Sequence, residues 1–211
     1  MMVQPPEQGR WRQVRAAVDG YASSIVRLIG ESYGADAIQR AWREFRLRDD
    51  TTFSVDDPHA ELFFSWLFHR WAPKEKKGIP PTRAYLTLHA DSLDPLLRGY
   101  LEACLVTRFG FYQVLQCRPG AGFDVRDLLT SRELEVHEAL ASVSVTSGDI
   151  VFAYLPTVDG IVLVDAISPF SFPATFAASV RGDRNERSSR STDRSLRKLY
   201  FALLNSYLLY R

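Results

Sequence analysis

The chain has 211 residues, 46% of them hydrophobic and 24% charged, with a formal net charge of +1. That balance excludes a disordered or fibrous chain, and near-neutrality counts against a dedicated nucleic-acid binder, which carries a strong basic excess. A chain of this length buries roughly 70% of the surface exposed by its unfolded form, so a core forms without help from disulfides or metals.

The N-terminal stretch MMVQPPEQGRWRQVR has no apolar core of the kind a secretory signal requires. Trp11, Val14, Val18, Tyr21, Ile25, Leu28 and Ile29 then recur at helical spacing, with Gly30 and Gly34 as punctuation. The next helix carries Ala37, Ile38, Ala41, Trp42 and Phe45 on one face, and Arg40, Arg43, Arg46 and Arg48 flank it as its solvated side. In VDDPHAELFFSWLFHRWAP, Asp57 suits an N-cap and Pro58 a first helical position. Phe63, Phe64, Trp66, Leu67, Phe68 and Trp71 surround that helix almost completely, which predicts burial. After the solvated KEKKG run, PPTRAYLTLHA reads as a short helix or turn. The Asp-Pro opening then recurs at Asp94 and Pro95, ahead of an apolar face of Leu96, Leu97, Tyr100, Leu101, Cys104 and Leu105.

The period changes near residue 110. FYQVLQC, FDVRDLL, ELEVHEAL, DIVFAYLP and GIVLVDAI read as short strands separated by turn residues, the pattern of a meander or small barrel. PTVDG between the last two is a hairpin signal, with Gly160 taking positive φ. FPATFAASV reads as one short helix, and RGDRNERSSRSTDR as an exposed linker. DRSLRKLYFALLNSYLLYR is helical, with Leu196, Leu199, Tyr200, Leu203, Tyr207 and Leu208 on a broad face. Apolar clusters such as LFFSWLF fall far short of the roughly 20 residues that a membrane-spanning helix needs. The expectation is a cytoplasmic α+β protein. A helical region at 1–109 packs with a small antiparallel β-barrel or meander at 110–170, and 171–211 forms a basic linker and an amphipathic helix that docks back.

Candidate chemistry is sparse. Asp127, Glu133, Glu135 and His137 lie along DVRDLLTSRELEVHE, and strand alternation sends Glu133, Glu135 and His137 to one side. Carboxylates with imidazole ligate divalent metals or share a proton, which would suit a metal-dependent hydrolase or nuclease. The solvated face of a sheet shows the same alternation, and that is the favoured reading. Of the other histidines, His59 and His69 are ten residues apart on one stretch, too far to chelate a single ion on a helix. Cys104 and Cys117 are too distant for a Cys-x-x-Cys pair and sit in apolar contexts, as buried thiols of a reducing compartment do. No serine elbow or phosphate loop is present. The segment 181–198 gathers Arg184, Arg187, Arg190 and Arg194. It would hold an acidic partner or contact phosphates as a nucleic-acid accessory, but no aromatics interleave with it.

Residues 62–168 resemble the N-terminal region of bacterial proteins that end in a SEC-C motif. The resemblance rests on FFSWLFHRW, on the order of the following elements, on Pro119-Gly120, on Asp127-Leu128-Leu129-Thr130 and on Gly148-Asp149. It implies a fold arrangement and a bacterial origin. The Cys-x-Cys…His-Cys zinc motif is absent, and Ser131 stands where the family has glycine. The motif's roles therefore do not carry over, no cofactor is expected, and the resemblance implies almost no activity. The functional expectation is a binding or adaptor protein without catalytic machinery, whose partner is another protein.

Overall fold

The computed structural model describes residues 6–182 and 192–209. It is an α+β protein that forms two compact units. One holds the described residues up to Thr107 together with Pro156–Ile161. The other holds Arg108–Leu155 and the described residues from Val162 onward.

The helical unit contains α1 (Pro6–Val18), α2 (Tyr21–Tyr33), α3 (Ala37–Arg46), α4 (Ala60–His69), α5 (Pro81–Leu88) and α6 (Pro95–Val106). The continuous first helix expected from periodicity is two helices. Gly20 takes the left-handed conformation at φ 79° and breaks it, whereas Gly30 stays inside α2. Asp94 caps α6 as expected: its carboxylate accepts from the amides of Leu96 at 2.8 Å and Leu97 at 3.2 Å. Asp57 acts one step earlier than expected. It accepts from the His59 amide at 2.8 Å, and α4 begins only at Ala60. The apolar circumference of α4 is buried, as its sequence demands. Trp42 and Phe45 of α3 meet Phe63 of α4 with ring centroids 5.0 and 5.6 Å away. Phe53, on the α3–α4 connection, adds to that cluster.

The strands are β1 (Phe109–Arg118), β2 (Gly122–Asp127), β3 (Glu133–Val136), β4 (Ile150–Tyr154), β5 (Thr157–Val158), β6 (Ile161–Val162) and β7 (Ala166–Ile167). They form one curled half-barrel sheet in the order β5-β6-β3-β2-β1-β4-β7. Its pairings are antiparallel except for the single parallel contact Val136↔Val162. Asp159 at φ 50° and Gly160 at φ 83° make the tight turn between β5 and β6 that the Asp-Gly pair signals. Strand β3 is shorter than ELEVHEAL suggests, because the chain leaves the sheet after Val136 and makes a 3-10 turn at Ala141–Val143.

Two glycines allow close approaches here. A Cβ on Gly110 would lie 2.7 Å from the Tyr112 ring, which covers it. A Cβ on Gly122 would lie 2.1 Å from the Val136 carbonyl oxygen, across the β2–β3 pair. One sheet face carries Tyr112, Val114, Phe123, Val125, Val136, Val151 and Ala153 into a core shared with Ala141. The other carries Phe109, Phe111 and Phe152, on which Tyr200 of α8 (Asp193–Leu209) stacks 4.8 Å from Phe152. Between them, the short helix expected at FPATFAASV is a 3-10 turn, Ala174–Phe176, running into α7 (Ala177–Gly182).

Candidate functional site

The acidic residues and histidine singled out from the sequence lie along the β2–β3 hairpin and just beyond it. Glu133 lies opposite Arg126, and Glu135 opposite Asp124. Alternation therefore puts Asp124, Arg126, Glu133 and Glu135 on one face. Arg118 joins them, because the β1 register skips Leu115 between Val114 and Gln116 and so returns residue 118 to that side. The result is an ion-pair ladder. Arg118 donates to Asp124 at 2.7 Å and to Glu135 at 2.9 Å, and Arg126 donates twice to one Glu133 oxygen, at 3.1 and 2.6 Å. The Asp124 carboxylate, by hydrogen bonding first and by charge second, holds the Arg118 guanidinium above its ordinary pKa.

Asp127 does not join this face. It pairs with Tyr112 in the β1–β2 register, and its carboxylate closes the turn by accepting from the amides of Leu129 at 2.7 Å and Thr130 at 3.2 Å. Burial, reinforced by that carboxylate and opposed by Arg132, pushes the Tyr112 phenol above its ordinary pKa. Ser131 sits at φ 64°, the left-handed position where glycine is at ease. His137 lies just beyond β3, half-buried, with its amide donating to the Val162 carbonyl at 3.0 Å. Among the described residues, no three of Asp127, Glu133, Glu135 and His137 bring ligand atoms within 4.8 Å of one another. The cross-strand arginines Arg118 and Arg126 are what the sequence reading overlooked. Their role was legible only through the register, since neither is near its carboxylate in sequence.

Next to the ladder, the end of the sheet carries a different feature. The 3-10 turn at Ala141–Val143 leaves Leu140 81% and Val143 67% exposed. Side chains three residues apart on such a turn eclipse, so the two form one apolar patch. The backbone beneath is pinned: the Ser142 hydroxyl donates to the Ala139 carbonyl at 2.7 Å and accepts from the Gly120 amide at 2.9 Å. Ala141 and Val145 pack into the core from the same turn. Gly120 lies two residues after Arg118 in the β1–β2 turn, which the Ala121 amide closes by donating to the Arg118 carbonyl at 2.9 Å, so Arg118 and the apolar patch share one end of the sheet.

The cysteines are not nucleophiles in waiting. Burial, with the Asp149 carboxylate, raises the Cys117 thiol above its ordinary pKa, and the thiol donates to the Val145 carbonyl at 3.3 Å. In the helical unit, Cys104 and His69 are fully buried, and a His69 ring nitrogen lies within 4.8 Å of the Cys104 sulfur. His69 Nδ1 also meets the Thr82 hydroxyl at 2.9 Å. This approach was invisible in the sequence, where the two residues are 35 positions apart, and full burial keeps the pair from any substrate in this conformation.

The helical unit also has an open groove of about 370 Å³, lined by Arg40, Glu44, Trp71 and the 72–75 segment. Its charged walls are engaged with protein. Arg40 donates to the Tyr33 carbonyl at 3.0 Å and faces Glu75 at 3.3 Å, and Glu44 accepts from the Trp71 indole at 3.1 Å. Of the arginine-rich segment, Arg184, Arg187 and Arg190 lie outside the described residues, and Arg194 is exposed in the first turn of α8. Among the described residues, no helix is long and apolar enough to cross a membrane. A scan against protein-family models gives no match to this chain, and neither do searches of curated proteins and of solved structures.

Proposed function

We propose that this protein is a cytoplasmic binding or adaptor module that takes a protein partner on the end of its sheet. The observation that carries the reading is the exposed pair Leu140 and Val143 on a backbone already fixed by Ser142. Burying each side chain at an interface contributes about 1.5–3 kcal/mol, and a preformed turn loses little entropy on binding. The ion-pair ladder of Arg118, Asp124, Arg126, Glu133 and Glu135 supplies the polar rim that surrounds apolar anchors in protein interfaces and selects partners by charge. The same ladder argues against a hydrolase built on Asp127, Glu133, Glu135 and His137. Two of those carboxylates are held by guanidinium groups and the third closes a turn.

The test is site-specific photo-crosslinking in cells. A photoreactive residue at position 140 should give a discrete adduct with one protein, and Val143→Asp should abolish it. The same residue at Val106, equally exposed on α6, is the control. Adducts common to both positions would sink the reading, and an adduct with a second copy of this chain would replace adaptor function by self-association.

A further inference from the structure

We propose that Arg46, His59 and Asp57 form an acid-sensitive latch that fastens the start of α4 to α3, and that protonation of His59 releases it. His59 Nδ1 is 3.0 Å from Arg46 Nη1 and 3.2 Å from Asp57 Oδ1. A guanidinium only donates, so the shorter contact, to Arg46, requires Nδ1 as the acceptor and the imidazole as the neutral Nε2–H tautomer, with the Asp57 oxygen at 3.2 Å receiving no proton from it in that state. Protonation puts a second N–H on Nδ1. Two donors and two positive charges then face each other across 3.0 Å, and the Arg46 bond cannot persist. The new N–H turns to Asp57, which already accepts from the His59 amide. The latch thus exchanges one partner for the other.

Arg46 faces the ring from α3 and also lies over the Trp42 ring at 5.3 Å, and Asp57 faces it from the α3–α4 connection, itself 3.9 Å from Arg46. The ring stands at the N-cap of α4, where the positive end of the helix dipole opposes an imidazolium. Burial first, and Arg46 second, lower the His59 pKa below its ordinary 6.5, with Asp57 opposing them. For a histidine with a lowered folded-state pKa, the unfolded chain takes up the proton first. The latch's contribution is therefore complete above about pH 6.5 and is lost as pH falls below it towards the folded value. The rest of the connection does not change charge in this pH range: Gln39 bonds the backbone of Thr51 and Phe53, Phe53 packs into the aromatic cluster, and the hydrogen bond from Arg48 holds the Asp50 carboxyl below its ordinary pKa. Loosening is therefore confined to residues 57–63.

Amide hydrogen exchange, corrected for intrinsic rates and followed by NMR between about pH 7.5 and about pH 5.5, tests this on the unmodified chain. The protection of the His59, Ala60 and Phe63 amides should fall over that range, by up to about tenfold, while amides in the middle of α6 keep theirs. His59→Gln retains an acceptor for Arg46 and has no proton to gain, so its protection should not change with pH. Unchanged protection in the wild-type chain would overturn the latch. So would an equal fall in the His59→Gln variant.

Discussion

The two halves of strand β1 live in different surroundings. From Phe109 to Val114 it is covered on both faces: Phe109 and Phe111 point towards Tyr200 and its neighbours, and Tyr112 and Val114 point into the curl of the sheet. After the bulge at Leu115, the side that carried the phenylalanines carries the exposed Gln116 and the half-buried Arg118, against the charged residues of β2 and β3. One strand therefore passes from a sheet packed on both sides to a sheet with one wet face. The first half holds the fold together, whereas the second, whose exposed ion pairs contribute little to stability, is the part that the proposed recognition would use.

The largest effect that sharpens this contrast is expected at Phe152, fully buried between Phe109, Phe111 and Tyr200. Phe152→Ala should destabilise the sheet unit by about 3–5 kcal/mol in urea unfolding. A loss below about 1 kcal/mol would mean that the stacked rings do not hold α8 in place. Gly110→Ala comes next, at about 1–3 kcal/mol, because the new methyl group meets the Tyr112 ring. Tyr112→Ala combined with it should cost less than the two single changes added together, and a double-mutant cycle reads that coupling.

On the exposed half, the effects shrink. Arg118→Ala and Arg126→Ala should each cost no more than about 1 kcal/mol, and that cost should shrink further in high salt. A loss of several kcal/mol, insensitive to salt, would break the contrast by showing that the ladder is structural. The smallest change runs the other way. Ser131→Gly should stabilise the hairpin by about 0.5 kcal/mol, since it removes the strain of φ 64° at the price of a more flexible unfolded chain. A drop in melting temperature would show that the serine side chain contributes more than its backbone strain costs.

Much of the architecture was legible locally. The period-3.6 stripes of α3 and α6, the all-round apolar surface of α4, the Asp94-Pro95 start and the Asp159-Gly160 turn each need only neighbouring residues to act, and each appears in the structure. The break at Gly20 was missed because apolar residues continue at helical spacing across it, while the backbone of a single glycine decides where the helix ends. Glu133 and Glu135 do alternate onto one face of β3, but His137 falls beyond the strand, and Asp127, expected to join them across a turn, does not. A strand's parity settles which face a residue occupies, and a turn of five residues between partners does not preserve it in any obvious way.

By itself, the amino-acid sequence determined most of the helical and extended segments, though not their ends, and that a change of period near residue 110 separates two kinds of structure. Those outcomes follow from the spacing of apolar side chains and from the stereochemistry of glycine, proline and aspartate, which act over a few residues. Only the tertiary structure decided that Arg118 and Arg126 answer Glu135 and Glu133, that Leu140 and Val143 are left to solvent, and that Arg46 meets His59. Register, the skipped residue at Leu115 and the burial of one face against another are set by contacts between distant residues, and no local spacing records them.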